Sequence, residues 1–153
     1  MHDFSRRSTI RSLMLFAAVS MLPASGLLAA ETAPLAIKGY DPVAYFTIGK
    51  PGKGRPEYEY EWDERRYLFL SARDREMFRA DPVRYAPQFA DFCAMALSMG
   101  EIVEADPENW LISDGKLYIF GKAGGPTLFK QDLAANIVKA NQNRALLPKQ
   151  RPH

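Results

Sequence analysis

Over residues 57–70 apolar and polar positions alternate, with Tyr58, Tyr60 and Trp62 on one side of the chain and Glu57, Glu59 and Glu61 on the other. A period of two marks a half-buried strand, and Tyr67 and Phe69 continue the aromatic side after a turn at residues 63–66, so the segment reads as a hairpin. Ser71 stands where it can cap a helix carrying Met77 and Phe78 among charged neighbours, and Asp81-Pro82 ends that helix and opens a turn through Tyr85. Upstream, Asp41-Pro42 supplies a helix start before the apolar residues 43–46, and residues 50–56 (KPGKGRP) form a loop by composition.

The second half repeats this grammar. Residues 89–99 predict a small-residue helix stopped by Gly100. Residues 110–113 and 116–120 alternate around Asp114-Gly115, a two-residue hairpin signal. Residues 121–126 (GKAGGP) read as a connector, and residues 127–147 as one long helix with Phe129, Leu133, Ile137 and Ala140 on one side. The expected fold is α+β: small antiparallel hairpins packed against helices, with a long C-terminal helix. Two hairpin-then-helix units hint at internal duplication, in pattern more than in residues.

Residues 1–30 follow a different pattern. Arg6, Arg7 and Arg11 form a positive head, residues 13–22 (LMLFAAVSML) an uncharged apolar run, and residues 23–30 a small-residue stretch, the layout of a secretory signal peptide. The run is too short for the roughly 20 residues that a membrane-spanning helix needs, so no anchor is expected after cleavage at Ala29 or Ala30. Ser5-Arg6-Arg7-Ser8-Thr9-Ile10-Arg11 resembles a twin-arginine signal with Thr9 in place of the usual Phe, which leaves twin-arginine export and ordinary secretion both open. The expected organisation is a signal peptide over 1–30, a flexible leader over 31–37, one domain over 38–147 and a tail over 148–153, in a periplasmic or secreted protein.

At 153 residues, 47% hydrophobic and 25% charged, the chain has the profile of a single globular domain. Its formal charge of +2 belongs to the signal, because residues 1–30 carry three of the 20 basic and one of the 18 acidic side chains. What remains is neutral, and nothing in the charge points to nucleic acid. One cysteine and two histidines exclude an intramolecular disulfide and a four-ligand Cys/His zinc finger. His2 leaves with the signal and His153 lies on the tail, which removes the usual basis for histidine general-base chemistry.

Cys93 is the one residue whose chemistry stands out. It reads in three ways: a buried structural thiol, a ligand for a soft metal or haem, or a reactive or intermolecular thiol. On a helical wheel Cys93 shares a face with Ala96, Leu97 and Gly100, which separates it from Met95 and Met99 and splits a Cys-Met-Met set suited to copper(I). The aromatic side chains Tyr40, Tyr45, Tyr58, Tyr60, Trp62, Tyr67, Trp110 and Tyr118 read as hairpin packing before a ligand pocket. Glu57, Glu59, Glu61 and Glu64 read as a solvated sheet face, and residues 121–126 lack the Gly-Lys-Ser/Thr ending of a phosphate loop.

The series Tyr40-Asp41-Pro42-Val43-Ala44-Tyr45-Phe46, Tyr67-Leu68-Phe69-Leu70-Ser71, then Phe78-Arg79-Ala80-Asp81-Pro82-Val83-Arg84-Tyr85 resembles the YHS domain family, in particular its exported bacterial branch. The likeness extends to Tyr85-Ala86-Pro87-Gln88-Phe89 and Phe92-Cys93-Ala94 and covers about residues 38–145. It implies a small α+β domain built on a hairpin packed against a helix, and, from better-known relatives, an association with soft metals. Those relatives carry cysteines where this chain has Ala44 and Leu70, and a histidine where it has Trp62-Asp63, so the resemblance implies a kept scaffold and a lost metal site. The function expected is an exported, non-enzymatic module that binds a small ligand, a metal complex or a protein partner. The alternative is a thiol redox or soft-metal or haem-binding protein using Cys93.

Overall fold

The period-two segments form hairpins. In the computed structural model, which describes residues 32–148, β1 (Arg55–Trp62) and β2 (Arg65–Phe69) pair antiparallel. The turn between them is the left-handed pair Asp63-Glu64, with φ of 50° and 57°. Strands β3 (Asp106–Ser113) and β4 (Lys116–Phe120) pair the same way around Asp114-Gly115, with φ of 50° and 68°. Such mirror-image turns match the twist of the strands they join. Helix α1 (Ala44–Thr47) precedes the first hairpin, α2 (Ala72–Ala80), α3 (Pro82–Tyr85) and α4 (Ala94–Ser98) lie between the two, and α5 (Gly125–Gln131) and α6 (Leu133–Gln142) follow the second. The fold is α+β, and the signal segment expected over residues 1–30 lies outside the described residues. Among the described residues no helix is long and apolar enough to cross a membrane.

The two halves are copies of one structural unit. Each hairpin position in the first half has its counterpart 51 positions on (55 to 106, 69 to 120), and both hairpins carry the same break in register, at Arg55/Glu59 and at Asp106/Trp110. The aromatic core is repeated as well. Tyr67 and Phe69 lie 4.7 and 5.2 Å from the ring of Phe78, and Tyr118 and Phe120 lie 5.6 and 5.3 Å from that of Phe129. Both Phe78 and Phe129 are fully buried. Asp81 ends α2 at φ −151°, ψ 73°, and Asp132 ends α5 at φ −142°, ψ 65°.

The expected C-terminal helix is present, but that repeated break shortens it from the expected residues 127–147 to α6. Asp132, in a non-helical conformation, separates α5 from α6, which is followed by a 3-10 turn at Asn143–Leu146. The leader expected over 31–37 is also corrected. Leu35 bridges to Arg66 of β2, as Pro87 bridges to Leu117 of β4, and Ala36 and Ile37 are buried in the core. Lys38 (φ 51°) and Ala90 (φ 50°) then make the same left-handed step. The domain therefore begins by residue 35, with each unit opening on a segment laid beside its own second strand.

The units share a core. Strand β4 is buried on both faces: Leu117 and Ile119 pack with Val43, Tyr45, Tyr67 and Phe78 of the first unit, while Tyr118 and Phe120 pack with Leu97 and Phe129 of the second. The Tyr45 hydroxyl donates to the Pro107 carbonyl (2.9 Å), and Asp91 accepts from the Ile37 N–H and pairs with Arg65. These contacts lock the units together.

Candidate functional site

Cys93 and Asp41 occupy equivalent places, which explains the local geometry of both. The Asp41 N–H donates to the Gly52 carbonyl and the Cys93 N–H to the Val103 carbonyl, both at 2.8 Å. Their side chains then cap the short helix that follows, Asp41 Oδ1 accepting from the Ala44 N–H at 3.3 Å and Cys93 Sγ from the Ala96 N–H at 3.4 Å. Each helix ends at a left-handed glycine, Gly49 (φ 66°) or Gly100 (φ 81°), a conformation that suits a residue without Cβ.

The carboxylate does more than the thiol. Asp41 Oδ1 also accepts from the Val43 N–H (2.7 Å) and Oδ2 from the Leu70 N–H (2.8 Å), so one fully buried group ties α1 to the end of β2. Burial outweighs those three donors and pushes its carboxyl up to about 6. Burial likewise raises the Asp91 carboxyl, against the lowering effect of the Ile37 N–H and Arg65.

The helix expected over residues 89–99 is only Ala94–Ser98, because Cys93 sits before it in an extended conformation (φ −67°, ψ 116°) and Phe92 bridges to Glu104. This overturns the helical-wheel separation of the three sulfur residues. Cys93, Met95 and Met99 all line one cavity of about 370 Å³, together with Ala96, Val103 and Leu128. Gly121, Lys122, Gly124 and Gly125, from the segment expected to be a plain connector, complete the lining. Met99, Val103 and Leu128 are exposed at 60%, 42% and 49%, and Cys93, at 7%, lies at the bottom. Exposed Glu101 and Lys122 supply the charge at this cavity.

A second cavity, of about 390 Å³, is lined by Trp62, Arg65, Tyr67, Phe89, Arg144 and residues up to Pro148, where the described chain ends. Its arginines are engaged: Arg65 pairs with Asp91, and Arg144 donates to the Gln88 carbonyl (2.8 Å) and Asn141 Oδ1 (3.0 Å) while lying 4.9 Å from the Phe89 ring centre. Of the two, the cavity at Cys93 has the more apolar lining.

The remaining sequence candidates fall elsewhere. Tyr45, Tyr67 and Tyr118 are buried in the two cores, with Tyr58, Tyr60, Trp62 and Trp110 packed against them. Tyr40 donates from its hydroxyl to Glu108 (2.7 Å), which pushes its phenol up to about 12. Glu59 pairs with Arg66, and among the described residues no three His, Cys, Asp or Glu side chains converge. The glycines of residues 121–125, which the sequence presents as a connector, line the cavity instead, and aligning the hairpins at 51 positions places Gly121 opposite Leu70. No family model, curated protein or solved structure matches the chain.

Proposed function

We propose that this chain is an exported, non-enzymatic binding module on a YHS-like scaffold, and that its ligand sits in the cavity beside Cys93. The observation that carries the proposal is a cavity of about 370 Å³ walled by thioether and aliphatic side chains and by bare glycine backbone. Small-molecule sites are concave, mostly apolar and of this size. Cys93 serves in it as a buried wall and helix cap. Its sulfur accepts from the Ala96 N–H, and a thiol so enclosed has poor access to an attacking or oxidising partner.

A second reading is favoured by one fact: Met95 and Met99 line the same cavity as Cys93, and thiolate with thioether is a soft donor set suited to copper(I). Alkylation of the purified protein by iodoacetamide, with metal analysis of the same preparation and of Cys93→Ser, separates the readings. The first predicts labelling that is slow until denaturant is added, and copper below stoichiometry in both proteins. Rapid labelling of the folded protein, or one copper per chain lost in Cys93→Ser, replaces it with a thiol-centred function.

A further inference from the structure

The cavity arises from a size exchange between the two units. In the first unit Leu70 lies against Gly52, so close that a Cβ on Gly52 would stand 2.8 Å from Leu70 Cδ1. The equivalent positions in the second unit, 51 residues on, are Val103 and Gly121, and here a Cβ on Gly121 would stand 3.3 Å from Val103 Cγ1. Large and small have changed places. In the second unit the smaller Val103 faces this space from the other side in place of the leucine, and Gly121 presents bare backbone to the cavity.

Next to it, Ser71 caps α2 with its side chain through the Asp74 N–H (3.1 Å), whereas the matching Gly125 N–H donates to the Lys122 backbone carbonyl (2.9 Å) and no side chain caps α5 at Gly124. Gly125 is explained by packing alone, since a Cβ there would strike Phe120 Cβ at 2.6 Å, but a Cβ on Gly124 would meet nothing within 4 Å. The backbone alone does not demand the hollow, because at the same place in the first unit Leu70 packs directly on Gly52.

We infer that the second unit has been hollowed, by the exchange of Gly52/Leu70 for Val103/Gly121, to take a small uncharged apolar molecule in the place that Leu70 occupies in the first. This rests on the binding reading above and gives the ligand its class. The lining agrees with it. Met95 and Met99 are flexible and polarisable, which suits apolar guests of varied shape, and Glu101 and Lys122 oppose each other in charge, so neither sign is favoured in a ligand.

The test is a fluorescence titration with the apolar dye N-phenyl-1-naphthylamine, in the wild type and in the double variant Val103→Gly/Gly121→Leu, which rebuilds the first unit's packing. Saturable one-to-one binding that weakens at least tenfold in the double variant, with an unchanged or higher urea midpoint, is the expected result. Should that variant fold poorly, Met99→Glu places a charge at an exposed rim position and is expected to weaken binding at least fivefold. Dye affinity unchanged in either folded variant overturns the inference. Absence of dye binding together with tight copper(I) binding overturns the apolar class but keeps a binding module; absence of both, with rapid thiol labelling, takes the module down as well.

Discussion

Asp41→Ala lowers the free energy of unfolding by about 3–5 kcal/mol, since a buried donor left without a partner costs roughly 1–3 kcal/mol and this change strands three of them. The donors are the N–H groups of Val43, Ala44 and Leu70. Water cannot replace the carboxylate easily, because the residue is fully buried. Cys93→Ala, at the equivalent position of the second unit, removes a single weak sulfur acceptor and costs about 1 kcal/mol on the same reasoning.

The same residue sets a pH dependence. With the Asp41 carboxyl raised from 3.8 to about 6, the native state keeps a proton that the unfolded chain has released between those values. The contribution of this group to stability is therefore greatest below pH 4, falls as pH rises through 4 to 6, and is flat above. The fall is on the order of 3 kcal/mol, from about 1.4 kcal/mol for each pH unit of displacement. Urea unfolding at pH 4 and pH 7 measures it. Asp41→Asn cannot ionise and shows a smaller fall, the remainder belonging to groups such as Asp91; an identical fall in wild type and variant would contradict the assignment.

Phe78→Ala and Phe129→Ala form the second large effect, each costing about 3–5 kcal/mol as expected for a fully buried phenylalanine. Phe78 stands at the upper end. Its ring meets those of Tyr60, Trp62, Tyr67 and Phe69, whereas Phe129 meets Tyr118 and Phe120. Because both faces of β4 are buried, one toward each unit, either variant shifts a single cooperative transition. Two separate transitions by circular dichroism, or a cost below about 1 kcal/mol at either site, would show that the units do not share their core.

The hairpins were legible in the sequence because a strand with one buried face writes a period of two, as Tyr58, Tyr60 and Trp62 do. The duplication was only half legible. Pro56/Pro107, Glu57/Glu108, Asp63/Asp114, Tyr67/Tyr118, Phe69/Phe120, Phe78/Phe129 and Asp81/Asp132 are identical at the 51-residue spacing, yet the segments before the hairpins share little and differ by one residue in length. Their likeness lies in backbone bonds and left-handed steps, which many residues can make. The site was hidden for a related reason. A helical wheel assumes helix, and Cys93 is the extended residue before one, so its side chain leaves the face that the wheel assigns. The break at Asp132 was missed because apolar spacing continues across it, from Phe129 to Leu133 and Ile137.

The most direct test of the cavity as the working site is the methyl NMR spectrum of the protein titrated with N-phenyl-1-naphthylamine, followed at the assigned ε-methyl signals of Met77, Met95 and Met99. Met95 and Met99 line the cavity, whereas Met77 packs against the first unit's core. The account predicts that the Met95 and Met99 signals move together and saturate while Met77 stays fixed. Movement of Met77 alone, or stationary Met95 and Met99 signals in the dye-bound protein, would contradict it.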